Sequence, residues 1–290
     1  MDSELEEDDE AKEYTKLEDS IKPRWYILSA RSSIKFRWDV VIIFFAVINA
    51  LTLPMEIAFE TYLDDVKQLP VINAITNTIF GIDIIVGFFT SYINVSTGDE
   101  IFGFQMIGIN YIVNGSFTVD LISTISIDKW YNNFSETPNE SILTLLKIIG
   151  MIKLQRIRRL AKIISNLNQT QETKALFKVL NMVFILILYI HVIACLLWKV
   201  FSIEETWIPA VDFIYVESRI FDESTTFGKK YFSMCYHAIM VFGLNEVAPR
   251  TALETFIVIL MMIASAIANA FIFGEMAVLV QEMDKKDIEF

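Results

Sequence analysis

Imidazole and thiol are scarce in this chain, which has two histidines, His191 and His237, and two cysteines, Cys195 and Cys235, in 290 residues. Both cysteines sit in or beside apolar stretches, without the spacing of a disulfide framework or a zinc site, so they leave the redox compartment unread. No Gly-rich phosphate loop, no His-Glu-x-x-His and no Gly-x-Ser-x-Gly occurs. These absences argue against an enzyme, and the sequence gives no reason to expect a cofactor, a metal or a nucleic-acid partner. The opening also lacks the basic stretch and apolar run of a cleaved signal, and the Arg-rich, acid-poor character of a mitochondrial presequence. Internal helices are therefore expected to direct targeting. The opening is instead MDSELEEDDEAKEYTKLEDS, ten acidic residues against two lysines. It supplies much of the formal charge of −12 and reads as a solvated tail.

What the chain has in abundance is oil. Apolar residues make up 54% of it, with 23 Phe and a mean hydropathy of +0.46, more than a soluble domain of this length needs for its core. A bilayer's hydrocarbon is roughly 30 Å thick, so a spanning helix needs about 20 largely apolar residues. Six such stretches are expected, at roughly 38–59, 71–93, 111–127, 141–164, 175–201 and 255–280. The first four carry polar or charged residues: Asp39, Asn49 and Glu56, then Asn73, Asn77 and Asp83, then Asp120, then a basic series. The last two are much cleaner. Between them, YFSMCYHAIMVFGLNEVAP holds about a dozen helical residues before Gly, Asn and Pro. That is too short to span, and it reads as a re-entrant helix with an extended return.

Lys22, Arg24, Arg31, Lys35 and Arg37 crowd the approach to the first helix, which places the N-terminus in the cytosol by the positive-inside rule. Six crossings bring the C-terminus to the same side, and the basic inner end of the fourth helix agrees. Asn133 and Asn139 head Asn-x-Ser sequons in the outer loop before that helix.

Ionisable side chains at bilayer depth cost at least ~2.5 kcal/mol each on insertion scales, so acids in two helices and bases in a third invite pairing. Steps of three from Lys147 give Gly150, Lys153, Arg156, Arg159 and Lys162, a basic stripe that Asp83 and Asp120 can face. A charge crossing the field is worth about 2.3 kcal/mol per 100 mV, so the stripe fits a voltage sensor. A basic amphipathic helix lying along the inner surface, or an ordinary cytosolic anchor at a helix end, is the competing reading. Most of the charge gathers near the inner end, so few charges are expected to move.

These pieces together resemble the six-helix cation channels of the ether-a-go-go, hyperpolarisation-activated and cyclic-nucleotide-gated types. The resemblance covers roughly residues 22–285. It rests on the Trp38-Asp39 pair, Pro54 and Glu56, on Ile79-Phe80-Gly81-Ile82-Asp83, and on Phe117-x-x-Asp120-Leu121-Ile122-Ser123. The basic row, His191-x-x-Ala194-Cys195-x-x-Trp198 and Ile272-Phe273-Gly274-Glu275-Met276-Ala277 complete it. It implies an all-α membrane protein of six transmembrane helices, with a four-helix voltage-sensor-like bundle and a two-helix pore module with a re-entrant pore helix. The expected division is 1–37 tail and pre-helix segment, 38–165 sensor-like, 166–174 linker, 175–285 pore-like and 286–290 cytosolic end.

The same resemblance implies a charge-transfer site at Phe80 and Asp83, with Asp120 as partner and Asn77 where relatives often have a further acid. The selectivity loop falls on Val241, Phe242, Gly243, Leu244, Asn245 and Glu246, and there the chain departs from the family. Gly-Leu-Asn replaces the Gly-Tyr/Phe-Gly filter, whose glycines accept dihedrals that Asn tolerates less readily, so strict potassium selectivity is not expected. Glu246 is either one of a ring of carboxylates at the outer mouth or an exposed loop residue. The chain ends at Phe290, about ten residues past the sixth helix, where many relatives continue into a cyclic-nucleotide-binding domain. If 290 residues are the whole product, a nucleotide site on this chain is excluded; truncation would give the same ending. Two functions stay open: a cation-channel subunit in a homo- or hetero-tetramer, with lipid and permeant cations as partners, or a non-conducting accessory subunit of a larger membrane complex.

Overall fold

The computed structural model describes residues 22–63, 68–94, 96–113, 117–124, 131, 134, 135, 142, 146, 171–209 and 219–288. Among them the chain is almost wholly helical. In order come α1 (Ser33–Ala58), α2 (Glu60–Leu63), α3 (Gln68–Phe88), the strands β1 (Tyr92–Ile93) and β2 (Glu100–Ile101), α4 (Phe104–Val113), α5 (Phe117–Thr124), α6 (Gln171–Phe201), α7 (Phe227–Phe242) and α8 (Ala252–Ile288). Among the described residues four helical stretches are long and apolar enough to cross a bilayer: Ser33–Ala58, Gln68–Phe88, Ala175–Phe201 and Ala252–Val278. They correspond to the first, second, fifth and sixth expected spans. The third is represented by α4 and α5. The fourth, with Lys147, Lys153, Arg156, Arg159 and Lys162, lies outside the described residues except for Ile142 and Leu146, as do the acidic tail and the sequon asparagines Asn133 and Asn139.

The chain divides into two compact units, Met1–Asn49 with Gln68–Arg159, and Ala50–Lys67 with Leu160–Phe290. The last turns of α1 thus belong with α6, α7 and α8.

In the first unit the expected second span is too long by one turn and more. α3 stops at Phe88, and Tyr92 and Ile93 pair antiparallel with Ile101 and Glu100 instead of continuing the helix. The reason lies in the turn that follows. Asn94 accepts the Ser96 amide on its side chain at 3.0 Å and exchanges backbone hydrogen bonds with Gly98 and Asp99, both at 2.8 Å. Gly98 supplies the φ of +76° that the turn requires. The segment before α1 docks on this hairpin: Leu28 donates to the Phe89 carbonyl at 2.7 Å and accepts from the Ser91 amide at 2.9 Å. Ile27, Phe102 and Ile107 form a small buried cluster beside it, with Tyr92 packed against them.

The second unit holds the larger core. Phe59, Leu197, Phe201, Trp207, Met234 and Val241 are all fully buried. Phe59 stacks on Trp198 with centroids 5.0 Å apart, and Phe201 stacks on Trp207 at 4.3 Å; such pairs add about 0.5–1.5 kcal/mol each beyond their area. Pro54 inside α1 removes a backbone donor and loosens the preceding turn. In that turn the Leu51 carbonyl accepts from His191 Nε2 of α6 at 3.0 Å. α8 opens with a capping box: Glu254 N donates to Thr251 Oγ1 at 3.2 Å, and the Glu254 carboxylate accepts the amides of Arg250 and Thr251.

Candidate counter-charge and pore-loop sites

Phe80, Asp83 and Asp120 are buried, with 0%, 3% and 2% of their surface exposed. α3 carries the first two one helical turn apart, and α5 brings Asp120 against α3. A bare carboxylate at this depth is costly, and each acid is met by a neutral aromatic donor. Trp38 Nε1 of α1 donates to Asp83 Oδ1 at 2.9 Å, and the Tyr111 hydroxyl of α4 donates to Asp120 Oδ2 at 2.9 Å. Such charge-assisted bonds contribute about 1.5–3 kcal/mol each. Two buried acids are thus each held by an aromatic donor. Trp38 carries a sequence signal, since it opens the resembling Trp-Asp pair. Tyr111 carries none.

The second candidate site is the stretch after α7. Phe242 and Val247 are clamped from opposite ends: Asn269 Nδ2 of α8 donates to the Phe242 carbonyl at 2.8 Å, and the buried indole of Trp207 donates to the Val247 carbonyl at 2.9 Å. Between them Gly243, Leu244, Asn245 and Glu246 are exposed, while Val241 is buried and Phe242 half-buried.

The backbone of this stretch closes a helix cap. The amide of Leu244 donates to Val241 at 3.0 Å and that of Asn245 to Met240 at 2.8 Å, the paired bonds of a Schellman turn. Leu244 occupies the left-handed position at φ +57°, where glycine is usual. Asn245 Nδ2 reaches back to the Gly243 carbonyl at 3.4 Å.

His191 and Cys195 lie 3.9 Å apart, Nε2 to Sγ. Nε2 donates to Leu51, so Nδ1 is the acceptor for the Tyr231 hydroxyl at 2.8 Å. Both ring nitrogens are engaged within the fold. Among the described residues no group of three or more His, Cys, Asp and Glu stands close enough together to hold a metal.

The chain is similar along most of its length to known proteins. The chain is 24% identical over 282 residues to the voltage-gated delayed rectifier potassium channel KCNH5 of Homo sapiens, covering 89% of this chain and 27% of that protein. It is 25% identical over 287 residues to the potassium voltage-gated channel protein eag of Drosophila melanogaster, covering 89% and 23%. It is 26% identical over 286 residues to the voltage-gated inwardly rectifying potassium channel KCNH6 of Homo sapiens, covering 90% and 28%. The chain thus spans about a quarter of the length of these relatives. The sequence model of the family described as "Ion transport protein" matches residues 35–287. That match covers most of the 290 residues, and the chain belongs to the ion transport protein family.

Proposed function

We propose that the chain is a cation-channel subunit with a voltage-sensor-like domain and a poorly potassium-selective pore. Four copies set α6, α7 and α8 around one axis, with both termini on the cytosolic side. Residues 243–246 form the narrow passage, and the row Lys147, Lys153, Arg156, Arg159 and Lys162 moves past Phe80, Asp83 and Asp120.

One observation carries the pore reading: the clamping of the Phe242 and Val247 carbonyls, which leaves residues 243–246 exposed between two fixed points. The Schellman turn at the same place supports weak selectivity. A potassium filter needs successive carbonyls facing the ion, and a turn that folds the Leu244 and Asn245 amides back onto the helix end does not run extended. Glu246, exposed just beyond the turn, supplies a carboxylate from each copy to attract cations at the mouth.

The test is bilayer recording from the purified chain. Glu246→Gln lowers cation conductance if the residue lines the passage, and unchanged conductance removes it from there. Neutralising Arg156 and Arg159 shifts the voltage dependence, and no shift leaves them as inner anchors.

The same turn favours a second reading, in which the chain is a non-conducting accessory subunit, because Leu in the left-handed position fixes a closed cap rather than a row of carbonyls. Particle stoichiometry separates the two. Fourfold particles support the pore, and a single copy among unrelated subunits supports the accessory role.

A further inference from the structure

We propose that Tyr111 is a positioning residue of the counter-charge site, a neutral third member whose hydroxyl holds the Asp120 carboxylate and whose ring Gly87 admits. The inference rests on the reading of Phe80, Asp83 and Asp120 as the site that basic side chains of the sensor pass.

Tyr111 is built into place from three sides. A Cβ at Gly87 would come within 2.9 Å of its Cζ, 3.0 Å of its Cε1 and 3.2 Å of its hydroxyl oxygen, so the ring lies against bare backbone of α3. Phe88 meets it edge-on with centroids 5.1 Å apart, and Phe117 does so at 5.7 Å, the two phenylalanines themselves 5.4 Å apart. The ring cannot swing far without striking one of these neighbours. Its hydroxyl is thereby directed at Asp120 Oδ2, at 2.9 Å. Gly81, on the same helix, has nothing within 4 Å of the corresponding Cβ position. Close approach therefore distinguishes Gly87 from a glycine placed merely for helix mobility.

A carboxylate with one oxygen already satisfied and its plane fixed is oriented toward an arriving ammonium or guanidinium. It also pairs with that cation less tightly than an unheld carboxylate does. Tyr111 thus keeps the Asp120 pairing reversible. Trp38 stands to Asp83 as Tyr111 stands to Asp120.

The experiment is measurement of sensor charge movement in the full chain under voltage clamp, together with the isotope-edited infrared C–O band of Tyr111 in lipid nanodiscs. Tyr111→Phe slows return of charge from the site by about tenfold, the scale of one hydrogen bond to a charged group. In an Asp120→Asn background the same substitution adds nothing. Gly87→Ala displaces the ring and slows return in the same direction, whereas Gly81→Ala does not. The Tyr111 band shifts on Asp120→Asn. Unchanged rates in Tyr111→Phe, or a band indifferent to Asp120→Asn, overturn the proposal. If the wild type moves no charge at all, the sensor reading falls and this role with it. That outcome is told apart from a failure at Tyr111 alone by the infrared band, which then still responds.

Discussion

Lys230, with none of its surface exposed, donates its ammonium proton to the phenol oxygen of Tyr62, and Tyr62 and Trp198 present ring faces to the same ammonium at 4.8 and 5.6 Å. A lysine in the first turn of α7 opposes the helix dipole, and burial costs it several kcal/mol more. Two desolvated cation–π contacts at about 2 kcal/mol each and a charged hydrogen bond at about 1.5–3 kcal/mol offset that cost. The balance lies close to zero. Lys230→Met therefore changes unfolding free energy by less than ~1.5 kcal/mol, whereas Tyr62→Phe, which leaves the ammonium with ring faces only, destabilises by about 1.5–3 kcal/mol. Thermal unfolding in detergent, followed by tryptophan fluorescence, checks both.

His191 joins α6 to α1 and to α7 through single hydrogen bonds on its two nitrogens. Truncation to Ala removes both and leaves the Tyr231 hydroxyl without its acceptor. The expected loss is about 2–4 kcal/mol from one neutral bond, one unsatisfied group and a cavity. His191→Gln, which can still both donate and accept, recovers part of it. Hydrogen exchange at the end of α1 rises in the Ala variant and less in the Gln variant.

Leu244, like Ala248 further along the same loop, holds a left-handed conformation that a side chain resists, and the cost of that region is roughly 1–2 kcal/mol. Leu244→Gly relieves it at the price of chain entropy near 1 kcal/mol. The two nearly cancel in overall stability. The sharper expectation is local: Leu244→Gly preserves the bonds to Val241 and Met240, while Leu244→Val, β-branched in the same position, frays the end of α7 and raises amide exchange at Leu244 and Asn245.

Glu100 fixes the segment before α1 to the β1–β2 hairpin, accepting from Ser29 Oγ at 2.7 Å, from the Ala30 amide at 2.8 Å and from Ser91 Oγ. Burial pushes its carboxyl up, but the bonds from Ser91, Ser29 and Ala30, with the charge of Arg31, outweigh burial and leave it below its ordinary value of 4.5. A carboxyl held lower in the fold than in the unfolded chain stabilises fully above about pH 4.5 and loses that contribution as pH falls through the lowered value. Protection of the Ala30 amide, taken relative to its intrinsic exchange rate, is therefore constant above pH 4.5 and falls below the lowered value. Glu100→Gln removes the pH dependence.

The spans at 38–59, 175–201 and 255–280 were legible because hydropathy alone marks a long apolar stretch, and their helices begin three to five residues earlier than hydropathy places them. Helix ends answer to other forces. The capping box of Thr251 and Glu254 starts α8 ahead of its apolar run, and α8 continues to Ile288 past the last residue of that run. Tyr92 and Ile93 read as helix because they are apolar, and only the turn chemistry of Asn94 and Gly98 makes them a strand. At the counter-charge site the acids were legible, as charged residues in apolar surroundings must be. The pairing of donor with acid was not, because Trp38, though marked by the Trp-Asp pair, stands 45 residues from Asp83, and Tyr111 depends on an absent Cβ at Gly87. Lys230 gave no signal either, since a lysine before a re-entrant helix reads as a loop charge until the aromatic rings around it are seen.

Reversal potential tests the proposed cation-conducting pore through residues 243–246 most directly. The purified chain, reconstituted in a planar bilayer with potassium on one side and sodium on the other, is expected to pass cation current that reverses near zero, reduced by Glu246→Gln. No current, or a reversal displaced far from zero in the direction of selective potassium permeation, would contradict the account.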